Sequence, residues 1–154
     1  MSVWLFSSSN LDHIRRAYER LVWGFWDRPT QAKTDFQRRL IKNWRSFIRM
    51  FNRIKPFDYA VIQIAGSGHI HALGVIKSTG YDDQTPIWDK EIQQRRVLFP
   101  WRVYFSFIIF SERPITTLYT KISDYIDGYG ISELPIHELR HIIDSIDVRI
   151  NIGD

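Results

Sequence analysis

Tyr59-Ala60-Val61-Ile62-Gln63-Ile64-Ala65-Gly66-Ser67-Gly68-His69-Ile70-His71-Ala72-Leu73-Gly74-Val75-Ile76 is the stretch on which the fold turns. Tyr59 to Ala65 reads as a buried strand, Gly66-Ser67-Gly68 as a tight turn, and His69 to Ile76 as the returning strand. A glycine-rich turn after a strand also opens a phosphate loop. Here neither a P-loop nor a dinucleotide-binding glycine pattern follows, and the next element reads as a strand rather than a helix. A hairpin at this point breaks the regular βαβ alternation of a doubly wound sheet.

On the N-terminal side, Val3-Trp4-Leu5-Phe6 reads as a strand stopped by Ser7-Ser8-Ser9-Asn10. Leu11, Ile14, Ala17, Tyr18 and Leu21 then recur at helical spacing, with Ser9 or Asn10 placed to cap. The aromatic run Val22 to Trp26, closed by Asp27-Arg28-Pro29, reads as a strand or loop wall. From Gln31 to Ile54, the residues Phe36, Leu40, Trp44, Phe47, Phe51 and Ile54 share one helical side, and Arg38, Lys42, Arg45, Arg49 and Arg53 the other. One long helix or two shorter ones would carry that ridge. It is either a solvated face or a phosphate-binding surface, and its uniform sign keeps the second reading open. Docking on a membrane is disfavoured, because so small a core needs the helix's apolar side.

On the C-terminal side, Arg102 to Phe110 reads as an aromatic, β-branched strand ended by Glu112-Arg113-Pro114. Thr117 to Ile126 fits neither class, and Pro135 to Ile146 has helical period. The order predicts an α+β fold with a curled sheet or barrel flanked by helices, in a single domain over residues 1–154.

A chain of 154 residues, 44% apolar and 15% aromatic, can close one core and is short for two. Lys and Arg number 21 against 17 Asp and Glu, and the pI near 9.5 gives a modest attraction to phosphate. The absence of cysteine excludes disulfides, thiolate nucleophiles and the Cys-ligated zinc of nucleobase deaminases. No apolar run nears the roughly 20 residues of a membrane-spanning helix, and the N-terminus lacks signal-peptide features. These features lead to the expectation of a cytoplasmic protein with no membrane partner.

Two patterns invite a metal. His137-Glu138-Leu139-Arg140-His141 matches HExxH, which sets two imidazoles one helical turn apart for zinc with a glutamate as base. Only thirteen residues follow, and a catalytic zinc requires a third protein ligand, for which Asp144 and Asp147 are the nearby downstream candidates. His69 and His71 alternate on one strand face without a third ligand close in sequence. The stronger expectation is a chain with no metal, no cofactor and no catalytic residue; a zinc metalloprotease is the alternative.

Four blocks in order carry a resemblance: the first strand and helix leading into Leu21-Val22-Trp23; Gly66-Ser67-Gly68-His69; Thr85-Pro86-Ile87-Trp88; and Phe99-Pro100-Trp101-Arg102-Val103. Together they resemble the YTH domain of the PUA-like superfamily from Trp4 to about Ile146. Tyr81-Asp82-Asp83 and Pro100-Trp101-Arg102-Val103 look more like the related EVE domains. YTH domains hold N6-methyladenine in a cage of aromatic or apolar walls. The resemblance implies that Trp23 and Trp88 are two walls and that the third lies at Val97, Leu98 or Phe99. Gly24 would present its backbone to the methylated amine. His13 stands ten residues before the first tryptophan, where the family usually has Asn or Asp to meet the base edge, with Asp12 and Asn10 beside it. Where the family grips phosphate near its C-terminal loop, Tyr129 and Gly130 stand, so Arg38, Lys42, Arg45, Arg49, Lys77 and Arg102 become the phosphate-binding candidates.

The expected function is therefore reading a methylated base, N6-methyladenine first, flipped from its strand into an aromatic cage. Cytosine modifications stay open because of His13. DNA is the favoured polymer, since the resemblance extends to the specificity domains of McrB-type modification-dependent restriction systems, where a separate motor and nuclease act. A free-standing reader of modified RNA would present the same cage, and a basic adaptor indifferent to modification is a third possibility.

Overall fold

The structure, a computed structural model, describes residues 1–119 and 125–151. Eleven elements follow one another among them: β1 (Val3–Ser8), α1 (Leu11–Arg20), β2 (Val22–Phe25), α2 (Asp35–Phe51), β3 (Tyr59–Ile64), β4 (His69–Tyr81), α3 (Asp89–Gln94), β5 (Trp101–Phe110), β6 (Thr116–Thr117), β7 (Ile131–Leu134) and α4 (Ile136–Asn151). The sheet runs β2-β5-β4-β3-β1-β7, with β6 added to β4. It is a curled half-barrel flanked by the four helices, an α+β architecture.

The deciding hairpin forms as its residues require. β3 and β4 pair antiparallel, from Tyr59 opposite Val75 to Gln63 opposite Ile70. Gly66 and Gly68 both take positive φ in the turn, a conformation that costs other residues a steric clash. β1 lies parallel to β3, which demands a crossover, supplied by α1, β2 and α2. β1 alternates between two apolar layers, sending Trp4 and Phe6 to the cluster under α1 and α2, and Val3 and Leu5 to the one under α4. Burial on both faces explains why its sequence is apolar without alternation.

The helix starts follow their capping chemistry. The Asn10 side chain accepts from the Asp12 N–H at 2.8 Å. Thr34 and Gln37 close a capping box that starts α2 at Asp35, so Gln31 to Thr34 stay outside the helix and α2 runs as a single helix to Phe51. α3 and β7 are too short for periodicity to reveal. β4 continues to Tyr81, past the expected end at Ile76, through register shifts near Ile76 against β5. Of the unassigned Thr117 to Ile126 segment, Thr117 belongs to β6 and Ile126 bridges Ile131; residues 120–124 lie outside the described residues.

Candidate nucleic-acid interface

The loop from Ile87 to Phe99 is held by one carboxylate. Glu91, in α3, is fully buried. Its Oε1 accepts from the Ile87 and Trp88 N–H groups at 2.9 and 3.3 Å, and its Oε2 from those of Leu98 and Phe99 at 2.7 and 3.0 Å. The Arg102 guanidinium stands 3.6 Å from Glu91 and 3.2 Å from Asp82, and donates to the carbonyls of Phe99 and Thr85 at 3.1 and 2.6 Å. A carboxylate ringed by four N–H groups and a cation has its lone pairs satisfied, which makes burial of the charge tolerable. The clasp sets the positions of Trp88 and Phe99 from within a six-residue helix.

Around those two rings an aromatic cluster closes. The His13 imidazole stacks on Trp88 with centroids 4.6 Å apart and planes 7° apart. It meets Trp23 edge-on at 5.1 Å and 80°, and Phe99 at 5.0 Å and 80°. Trp88 Nε1 donates to the His13 carbonyl at 3.1 Å, fastening the loop to α1. Burial pushes the His13 imidazole down to about 4, so the ring is neutral at pH 7. Trp23 also stacks on Phe6 at 6.0 Å, and its Nε1 is buried with no hydrogen-bond partner among the described residues. Gly24 has no room for a side chain, since a Cβ there would lie 2.7 Å from Phe99 Cβ and 2.8 Å from Trp88 Cη2.

A cavity of about 500 Å³ opens beside this cluster. Its walls come from the β1–α1 loop, β2, the start of α2, the start of α3 and the segment from Tyr125 to Gly130. The volume falls within the range of ligand sites, roughly 300–1,000 Å³. Arg16, Arg39 and Lys90 line it with Asp12, Asp89 and Asp127. Two of those cations are engaged, Arg16 with Asp89 at 2.6 Å and Arg39 with Asp127 at 3.3 Å, while the Lys90 ammonium lies 5.1 Å from the Trp26 ring.

No family model matches the sequence. An uncharacterized protein of Methanocaldococcus jannaschii is 56% identical over 143 residues, spanning 93% of this chain and 88% of its own length. The chain belongs to the family of that archaeal protein. The crystal structure of a Toxoplasma YTH domain, in complex with a 7-mer m6A-modified RNA, aligns with a TM-score of 0.51 over 89% of this chain and 84% of that one, at 16% identity. The fold is therefore YTH-like. A Zygosaccharomyces rouxii YTH domain in complex with N6-methyladenosine RNA aligns at TM-score 0.45 and 12% identity over 93% of this chain and 82% of that one, which adds no weight.

Within this YTH-like fold, His13, Trp23, Gly24, Trp88 and Phe99 all line the one cavity, and Asn10 and Asp12 stand at its rim. The oxygen of Asn10 is taken up as a helix cap, and Asp12 is paired with Arg15. The arrangement departs from the expected site in three places. The tryptophans do not face each other across an open slot: His13 lies at 7° to one and 80° to the other, so the indoles stand at roughly right angles with the imidazole between them. Of the three third-wall candidates only Phe99 lines the cavity, because Leu98 packs with Val22 and Ile87, and half-buried Val97 stands outside it. Arg102 is 1% exposed and bound to Asp82 and Glu91, so it serves the clasp and is shut away from phosphate.

Arg38, Lys42, Arg45 and Arg49 lie along α2 as their spacing requires, and Lys77 is exposed on β4; none of the five lines the cavity. Arg39, Phe36, Trp26, Lys90 and Arg16 do line it, and the sequence pattern did not point to them. Arg39 carries the one legible signal, since it precedes buried Leu40 at the margin of the basic ridge. Lys90 and Arg16 reach the same cavity only because the start of α3 meets α1, where Arg16 pairs with Asp89. The HExxH histidines diverge: His141 Nε2 is 3.1 Å from Thr116 Oγ1, while exposed His137 stands beside Glu138. Among the described residues no three potential ligands gather to hold a metal. His69 is exposed beside Thr117, whereas His71 is buried with Nδ1 2.9 Å from the Ser111 carbonyl oxygen.

Proposed function

We propose that the chain binds nucleic acid and reads a methylated base, N6-methyladenine first, turned out of its strand into the cavity beside Trp88. The observation that carries this reading is the convergence of His13, Trp23, Gly24, Trp88 and Phe99 on a single cavity in a YTH-like fold. The Toxoplasma domain of that fold is bound to m6A-modified RNA. Stacking on an aromatic ring is worth about 1–3 kcal/mol per base, which offsets the few kcal/mol of flipping. Burying the methyl group adds about 0.8 kcal/mol. An unmethylated amine would leave a second N–H facing apolar walls, at a cost of about 1–3 kcal/mol.

Phosphates would follow α2. Lys42, Arg45 and Arg49 enter none of the ion pairs among the described residues, and Lys42 stands close to one turn beyond Arg39, a cavity wall. Arg38 adjoins them, paired with Asp35 at 3.2 Å. We take DNA as the target, and a place as the recognition module of a modification-dependent restriction system with a separate motor and nuclease, from the sequence resemblance to such modules. The RNA in the Toxoplasma complex favours the second reading, a free-standing reader of modified RNA. In either reading the chain acts by binding alone, in the cytoplasm. No described helix is long and apolar enough to cross a membrane.

The test is binding to matched oligonucleotides with and without one N6-methyladenine, as single- and double-stranded DNA and as RNA, at fixed salt. Preference of tenfold or more for the methylated strand is expected, and the polymer giving the tightest binding decides between the two readings. Equal, salt-sensitive binding to every strand would overturn the N6-methyladenine reading and leave modified cytosines, tested in the same way, and then a basic adaptor indifferent to modification.

A further inference from the structure

The face of Trp88 that a base would stack on is already covered. His13 lies parallel to it at stacking distance, with Trp23 and Phe99 against the imidazole edges. Resting on the base-binding reading above, we propose that His13 is a resident occupant of the base seat: its ring holds the place in the free protein and is displaced by the incoming base, rather than remaining to contact the base edge.

Three features of the site support displacement. His13 sits in the first turn of α1, and its main chain is tied down by its carbonyl to Trp88 Nε1 and its N–H to the Asn10 carbonyl. The side chain can therefore rotate without unfastening the loop that carries Trp88. The cavity beside it gives the ring somewhere to go. Among the described residues no charged group holds the ring: Asp12 is turned to Arg15, Arg16 to Asp89 and the Ile87 carbonyl, and Lys90 lies over Trp26. The imidazole is retained by its stacking on Trp88 and by edge contacts with Trp23 and Phe99, aromatic contacts that a larger ring makes better.

Displacement and edge recognition predict opposite signs. If only the fraction of molecules with His13 swung out can accept a base, the apparent affinity is reduced by that fraction. Removing the ring then tightens binding. If the ring instead met the base edge, its removal would weaken binding.

The experiment measures binding of a short single-stranded oligonucleotide carrying one N6-methyladenine to the wild type, His13→Ala and His13→Phe. The expected order is Ala tightest and Phe weakest, with Ala about tenfold tighter than wild type, equivalent to about 1.4 kcal/mol. In parallel, NMR of the wild type follows the His13 ring protons. They are expected to be strongly ring-current shifted in the free protein and to lose that shift on saturation with the oligonucleotide, a readout independent of whether either variant folds. Weaker binding by His13→Ala, or a complex in which the ring protons keep their shift, overturns the displacement and leaves the base-binding reading standing. No binding by wild type or His13→Ala overturns both.

Discussion

Replacing Glu91 with alanine should be among the most damaging single changes available to this chain. The substitution strips the acceptor from four main-chain N–H groups at once, those of Ile87, Trp88, Leu98 and Phe99. Each buried donor left unmatched costs about 1–3 kcal/mol. Arg102 keeps Asp82 and two carbonyls, so its charge is not fully orphaned, and part of the loop can move to find water. A loss of at least about 4 kcal/mol remains, a large share of the roughly 5–15 kcal/mol that holds a domain folded. Glu91→Gln keeps one oxygen for two of the donors and turns its amide against the other two, so its loss should fall near half that, about 2 kcal/mol. Urea unfolding followed by tryptophan fluorescence and extrapolated to water measures both. At this chain length the alanine variant should also melt about 8–16 °C lower. A change of under 1 kcal/mol for Glu91→Ala would refute the idea that this carboxylate organises the Trp88 loop.

Other outcomes follow from the same geometry. The folded pKa of His13, about 4, lies below the unfolded value of 6.5, so between those values the unfolded chain binds a proton that the folded one does not. Stability associated with His13 is then full above pH 6.5 and falls as pH drops, by up to about 3 kcal/mol near pH 4; the difference in urea stability between wild type and His13→Phe, measured across this window, should show that slope, and a flat difference would refute it. Gly24→Ala should cost about 1–3 kcal/mol by overpacking, because the new methyl meets Phe99 and Trp88 below 3 Å, and its near-ultraviolet circular dichroism should report displaced tryptophan. A Lys42→Glu, Arg45→Glu, Arg49→Glu triple variant should weaken oligonucleotide binding regardless of methylation and flatten its salt dependence by about 0.7–0.9 in log–log slope for each phosphate no longer neutralised; an unchanged slope would remove α2 from the phosphate path.

Much of this protein was legible in one dimension because the governing interactions are local. Gly66-Ser67-Gly68 needs only its own backbone freedom to make a hairpin, Asn10 caps the turn that follows it, and the recurrence at three and four residues from Phe36 to Phe47 sorts α2 into an apolar and a basic face without knowledge of what lies beneath. Ordered blocks from the first strand to Val103 carried the YTH likeness for the same reason, since each keeps its own short pattern. Interactions made across the fold had no such signature. Arg102 looks like any strand arginine until β5 delivers it beside Glu91 and Asp82, at which point solvent is excluded and a candidate phosphate ligand becomes an internal strut. Arg16, Arg39 and Lys90 reach one cavity from three helices. His13 shows the limit most clearly: its position marked it for the site, but only the tertiary approach of α1 to the Trp88 loop put its ring on the indole face. Sequence spacing sets which side of a helix a residue occupies, and the docking of one element on another sets what that side meets.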